Sequence, residues 1–343
     1  MTNGAVRTAV VGLGPHGLRH LHACSQVEDV QVVAVCDVRE DALTNATKIV
    51  PGARVFNSWQ EMLASTKPDL VNIVTNGPSH AEITLKAAAA GARYILCEKP
   101  MTTSVRDARS MIDACRTNGT RLAIAHARRW VKSYQQLKSL IAEGAVGRLC
   151  HFSSVLGGGL FAGNGTHTMD LARMLSGADA ISVTAFVDQT KTKNPRGEQF
   201  SDPGALGIYW FDNGMRLIID MFEDLGVATP MEIVGTIGHI RIDEPANEWT
   251  LRARQGADRE EPVSKYWLPL ASIPFEPEPL NMITMLAAGI RELISEEPIL
   301  CTGEDGLAAL EMVIGAHVSS RLGNQPVSLP LSQEYYDVDI PLT

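Results

Sequence analysis

The chain has no run of about 18 consecutive apolar residues, which excludes a membrane-spanning helix. Positive charge is scarce: 30 Lys plus Arg against 39 Asp plus Glu leave a formal net charge of -9. A nucleic-acid partner calls for a basic face, so this balance argues against one. Cysteine is sparse and unpaired. Cys24, Cys36, Cys97, Cys115, Cys150 and Cys301 form no CxxC pair and no zinc-like spacing, and several fall in apolar patterns. A free thiol behaves there as a small hydrophobe, so no disulfide framework is expected and a reduced, cytoplasmic setting fits. The histidines lack HxH or HExxH spacing and the acids do not cluster, so no metal site is expected. No internal repeat appears. The brief apolar stretch after Arg7 is broken by glycines and reads as a strand, not a signal peptide.

What is there is enough chain for two domains: 343 residues, 45% apolar and 20% charged, as in an ordinary soluble enzyme. Over residues 1–125, strands alternate with helices. Strand patterns at 8–12, 30–36, 54–56, 70–74, 92–97 and 121–125 are separated by helical patterns starting near Gly17, Glu40, Ser58, Ser79 and Ser104. That rhythm means βαβ units and a parallel sheet. Continuous apolar strands such as Val32-Val33-Ala34-Val35 fit a sheet covered on both faces. From residue 126 to 343 the pattern is α+β. Helices are expected over 133–143 and 167–175. Successive strands follow over 181–187, 205–211, 215–222, 231–234, 239–242 and 249–253, with Asp212-Asn213-Gly214 as a hairpin turn. Two closing helices fall near 280–294 and 304–322, with the last helix and tail free to pack back on the first domain. Residues 189–204 and 255–278 read as exposed loops.

Chemistry concentrates where predicted strands end. Gly12-Leu13-Gly14-Pro15-His16-Gly17 is GxGxxG between a strand and a helix, the arrangement that lets backbone approach a pyrophosphate at a helix N-terminus. Asp37 ends the second strand, where an acid takes ribose hydroxyls and opposes a 2′-phosphate; this favours NAD over NADP. Arg39, two residues on, is the one feature that suits NADP. Thr75 and Asn76 end a further strand and face the same crevice. His80, just beyond, fits either a partly buried turn histidine or a cofactor contact. The strand ending in Glu98-Lys99-Pro100 aims an amine at that crevice, and proline keeps Lys99 extended.

The glycine fingerprint, the Thr75–His80 turn and Glu98-Lys99-Pro100 occur in the order and spacing of the Gfo/Idh/MocA oxidoreductases, which the chain resembles over nearly its whole length. Arg128-Arg129-Trp130, Glu143-Gly144-Ala145-Val146-Gly147-Arg148, Met231–Thr236 and the Ser319–Pro330 region carry the likeness onward. The resemblance implies an N-terminal Rossmann domain with a doubly wound parallel sheet. It also implies a C-terminal α+β domain whose large, open, mainly antiparallel sheet carries the contacts of a homodimer or homotetramer. It implies NAD, with NADP possible, held by Gly12, Gly14, Pro15, His16, Gly17, Asp37, Arg39, Thr75, Asn76, His80 and Glu98. The implied substrate is a sugar or polyol hydroxyl, with Lys99 and His167 handling its proton. Asn164 is a further substrate contact, while Arg128 and Trp130 divide between substrate contact and inter-domain packing. Asp170 divides likewise between substrate and helix.

One position departs from the pattern. Many sugar dehydrogenases of the family carry an aspartate four residues before the histidine, and here that position is Gly163. Two other activities remain compatible: a glycosidase working through transient oxidation by NAD, and a non-catalytic dinucleotide-binding regulator.

Overall fold

In the computed structural model, residues 4–188, 194, 197–295 and 297–340 are described. The chain divides into two compact units. The first takes the chain up to Trp130, then Asn281–Leu310 and the segment from Tyr336 onward; the second takes Val131–Leu280 and Glu311–Tyr335. The first stretch ends at Trp130, near the expected boundary at residue 125, and the return of late segments to the first unit extends the packing back expected of the last helix and tail to α8 as well.

The first unit holds a parallel six-stranded sheet. Its strands are β1 (Val6–Val11), β2 (Val30–Cys36), β3 (Arg54–Phe56), β4 (Leu70–Ile73), β5 (Tyr94–Cys97) and β6 (Arg121–Ile124), in the spatial order β3-β2-β1-β4-β5-β6. Helices α1 (Pro15–Cys24), α2 (Glu40–Ile49), α3 (Trp59–Thr66), α4 (His80–Ala89) and α5 (Val105–Asn118) connect them. This is the doubly wound order, and its direction reverses between β1 and β4, where such sheets open a ligand crevice. All four residues of β4 and of β5 are buried, as expected for strands covered on both faces. Local signals hold the frame. Ser58 caps α3 by accepting from the Glu61 N–H, and Gly119 ends α5 in the left-handed conformation at φ 68°.

The late segments join this unit for packing reasons. Helix α8 (Met282–Ile294) buries Met285, Leu286, Ile290 and Leu293, and it packs against α1. The Gly289 position faces the Trp130 ring so closely that a Cβ there would lie 2.6 Å from it. Helix α9 (Gly303–Arg321) begins in this unit and ends in the other.

The second unit contains α6 (Lys132–Ala142), β7 (Leu149–Val155), α7 (Phe161–Ser176), β8 (Ala180–Val187), β9 (Ala205–Phe211), β10 (Arg216–Asp220), β11 (Met231–Gly235), β12 (Gly238–Asp243), β13 (Glu248–Ala253), β14 (Ala271–Ile273) and β15 (Val327–Ser328). The strands form one nine-stranded sheet, β14-β13-β12-β11-β7-β10-β9-β8-β15, antiparallel except between β7 and β10. The Asp212–Gly214 turn joins β9 to β10 as its sequence requires, with Gly214 at φ 81°.

Three local expectations are corrected. Strand β14 lies inside the span read as an exposed loop; three residues are too few to show a period. Helix α7 starts at Phe161, six residues before the expected His167, because its first turns carry Gly163 and Gly165 and hide the helical pattern. Of the 189–204 stretch read as an exposed loop, residues 189–193, 195 and 196 lie outside the described residues, and Glu198, Gln199 and Ser201 are exposed as expected, whereas Asp202 is buried at 6% exposure.

Candidate active site

At the carboxyl ends of β1, β2, β4 and β5, four predicted groups are tied to one another within the first unit. The glycine turn comes first. Gly12 adopts φ +90°, and a Cβ there would lie 2.4 Å from the Val74 carbonyl oxygen at the end of β4. Gly17 has no room either, since a Cβ would meet the Gly12 oxygen at 2.0 Å. Gly14 differs: nothing lies within 4 Å of where its Cβ would be, and its φ of -65° suits any residue. The chain's own packing thus accounts for the outer glycines, while the middle one leaves open a space beside the start of α1. Among the described residues no side chain caps that helix, its first turn carries no acid, and Pro15 supplies a preset φ. Open backbone at a positive dipole end is what a pyrophosphate requires.

Asp37 follows β2 and reaches back to the turn. One carboxylate oxygen accepts from the Leu13 N–H at 2.7 Å, the other from the Arg39 N–H at 2.9 Å. An ionised carboxylate has about four acceptor sites, so ribose hydroxyls can still be received. The Arg39 guanidinium is half exposed and leans on two acids, Asp37 at 3.5 Å and Asp41 at 3.8 Å. With two carboxylates beside it, the neighbourhood of Arg39 is not a cluster of positive charge that would favour a 2′-phosphate, which fits NAD.

After β4, Thr75 is half-buried and Asn76 exposed, with the Thr75 hydroxyl accepting from Ser79 at 2.7 Å. His80 takes the structural one of its two readings. It is 1% exposed, with Nε2 2.9 Å from the Thr75 oxygen and Nδ1 3.0 Å from the Pro100 oxygen. Burial lowers its pKa below the ordinary imidazole value, against the opposite pull of the Thr75 and Pro100 carbonyls and of Glu98. Both nitrogens face backbone carbonyls of the β4 and β5 turns, and the neutral ring donates its one N–H to one of them, so neither nitrogen is turned toward a cofactor.

After β5, Glu98 is buried and Lys99 half-buried. Glu98 is bonded to His20 of α1 at 3.0 Å, Oε1 to Nε2, a residue the sequence reading did not single out. No local pattern signals a pair 78 positions apart. Burial pushes the Glu98 carboxyl up, but the His20 hydrogen bond and the nearby charges of Lys99 and His16 outweigh it, and the pKa falls to about 2. His16 itself is half-buried in the first turn of α1.

Of the residues just past β6, Arg128 is half-buried, while its neighbours serve the frame. Arg129 is 8% exposed and donates to the Leu300 carbonyl and to Asp305. Trp130, expected at the substrate or between domains, packs inside the first unit against α8 and donates Nε1–H to Glu292 at 3.1 Å. A ring buried to 5% exposure on a helix presents no face to a sugar.

In the second unit, α7 carries Gly163, Asn164, His167 and Asp170. Asn164 is exposed, His167 half-buried and Asp170 buried. The helix start is held by a residue the sequence reading passed over. The Asp202 carboxylate accepts from the Ala162 and Gly163 N–H groups at 2.7 and 2.8 Å, and the Pro203 carbonyl accepts from Phe161. Leu160 precedes the helix in a left-handed conformation, φ 59°, and supplies no cap of its own.

Comparison with known proteins agrees with this geometry. Residues 6–126 match the model of an oxidoreductase family described by its NAD-binding Rossmann fold, and residues 153–329 match that family's C-terminal alpha/beta domain. The chain belongs to the Gfo/Idh/MocA oxidoreductase family. Relatives include D-apiose dehydrogenase of Paraburkholderia graminis, 26% identical over 339 residues, covering 92% of this chain and 88% of that one. Inositol 2-dehydrogenase 3 of Saccharopolyspora erythraea is 28% identical over 258 residues, covering 70% and 74%. A dehydrogenase from Bordetella pertussis, solved with NADH and UDP-GlcNAcA, has the same fold with a TM-score of 0.77 and 22% identity, covering 97% of this chain and 100% of that one. The chain is therefore an NAD-binding oxidoreductase of the dehydrogenase type.

Proposed function

We propose that this protein oxidises a secondary alcohol of a sugar, sugar derivative or cyclic polyol, with NAD as hydride acceptor. The observation that carries the reading is the convergence, at the switch point of one parallel sheet, of an open glycine turn, a ribose-facing acid and a lysine. The names of the dehydrogenase relatives, for inositol and for apiose, support the substrate class.

Each residue then has a task. The Gly12–Gly17 turn and the start of α1 receive the pyrophosphate, and Asp37 receives the ribose. When bound, the nicotinamide supplies the hydride acceptor. Lys99 takes the hydroxyl proton as the carbinol C–H bond breaks, leaving a carbonyl. His167 of α7 is assigned to the substrate on the family resemblance, as the second proton carrier because imidazole titrates near neutrality, and Asn164, exposed beside Gly163, is assigned to orient a substrate hydroxyl.

The outer face of the nine-stranded sheet supports self-association. Phe186, Trp210 and Val234 stand exposed on it, with Leu206, Ile208 and Ile218 half-buried between them. With Arg216, Asp220, His151 and Glu232 among them, this mixed apolar and charged face is suited to a second copy in a homodimer or homotetramer. All six cysteines are free thiols, which suits a reducing, cytoplasmic setting.

The test is incubation of the protein with NAD and a panel of polyols and sugars, including glycosides. Net nicotinamide reduction supports the dehydrogenase. Aglycone release without net reduction moves the reading to an NAD-dependent glycosidase, and cofactor binding with neither activity moves it to a regulator.

A further inference from the structure

His20 lies on the buried face of α1 with its side chain fully excluded from solvent, yet it is bonded to a carboxylate. An ionised Glu98 can only accept, so Nε2 is the donor to its Oε1 at 3.0 Å, while Nδ1 has no partner among the described residues. The other Glu98 oxygen accepts from the Lys99 backbone N–H at 3.2 Å. An imidazole, a carboxylate and a backbone amide thus run in series from α1 to the residue after β5. Fixing a carboxylate in a dry site requires such partners, because an unpaired one would be expelled or protonated. Both ends of the series connect to the proposed chemistry. One end is anchored on His20 in the interior of α1, the helix whose N-terminus is the proposed phosphate site, and the other ends at Lys99, the proposed proton acceptor.

We propose that His20 is a positioning residue that holds Glu98, through which the helix receiving the dinucleotide phosphates sets the direction of Lys99. His20 touches neither substrate nor reacting atoms. It acts by giving the Glu98 carboxylate one orientation, in which its second oxygen fixes the amide plane preceding the Lys99 side chain. Chemistry is sensitive to such alignment, since a displacement of about 1 Å reduces rate by about 100-fold. The proposal rests on the reading of Lys99 as the proton-handling group.

The test compares His20→Ala, His20→Gln and Lys99→Met in steady-state turnover with the polyol or sugar that the wild type oxidises best, with NAD affinity measured by calorimetry. Glutamine supplies one N–H at a similar reach and no ring. For His20→Ala we expect kcat to fall by about 10- to 100-fold, with NAD affinity and substrate KM changing far less, and most of kcat to return in His20→Gln. Wild-type kcat in His20→Ala overturns the proposal. So does a loss that tracks NAD affinity and thermal midpoint and that glutamine does not restore, because it marks a merely structural histidine. Lys99→Met separates the two readings: full turnover there removes the role of Lys99 itself, whereas lost turnover beside an unaffected His20→Ala removes only the role of His20.

Discussion

At the residue scale, the three glycines of the turn have different physical tasks, and substitution separates them. Gly14→Ala meets nothing within 4 Å and no unfavourable φ, so thermal stability should hold while calorimetric NAD affinity falls at least about 10-fold. Gly12→Ala must place a Cβ against the Val74 carbonyl at φ +90°, so its urea midpoint should drop by an amount worth about 2 kcal/mol or more. Equal loss of stability in both variants would contradict the account. Glu98 gives a second prediction. Its folded pKa of about 2 lies below the ordinary 4.5, so its contribution to stability is complete above about pH 4.5 and is lost as pH falls toward 2. Wild type should therefore lose more stability than Glu98→Gln between pH 5 and pH 3 in urea titrations, and parallel losses would refute the buried, ionised carboxylate. The glycines, Asp37 and Lys99 were legible in the sequence because each answers a demand of local backbone or strand-end position. His20 and the true setting of Trp130 were not, because their partners, Glu98 and Glu292, are distant in the chain.

At the element scale, α7 depends on a cap from outside itself. Asp202 receives two N–H groups from its first turn and lies at the favourable end of the helix dipole. Asp202→Ala should cost about 1–2 kcal/mol, read as a lowered urea midpoint, and Asp202→Asn should recover part of it. An unchanged midpoint in the alanine variant would show that the Pro203 carbonyl alone holds the turn. The βαβ half was legible almost element by element, because its strands are short apolar runs bounded by glycine and polar turns. The start of α7 was not. Leu160 in a left-handed conformation and two glycines in the first turns give no helical signal, and the cap arrives from 40 residues downstream.

At the scale of the whole molecule, the chain returns to the first unit with α8 before its last strand, β15, completes the nine-stranded sheet; the sequence leaves the last helix and tail free to pack back, but nothing in it marks α8 for that unit. The evidence lies in the apolar face of α8, which declares burial but not against which unit. The outer sheet face leads to the prediction that Trp210→Glu lowers the oligomeric mass in light scattering while leaving the far-UV spectrum unchanged. A wild type that is already monomeric would contradict that assembly. The central claim is that the parallel sheet brings NAD to a lysine that takes a proton from an alcohol. Its most direct test is nicotinamide reduction by Lys99→Ala beside wild type, with NAD affinity measured on both. Turnover is expected to fall by at least about 100-fold with NAD affinity within a few-fold of wild type. Turnover that survives the loss of Lys99 would contradict it.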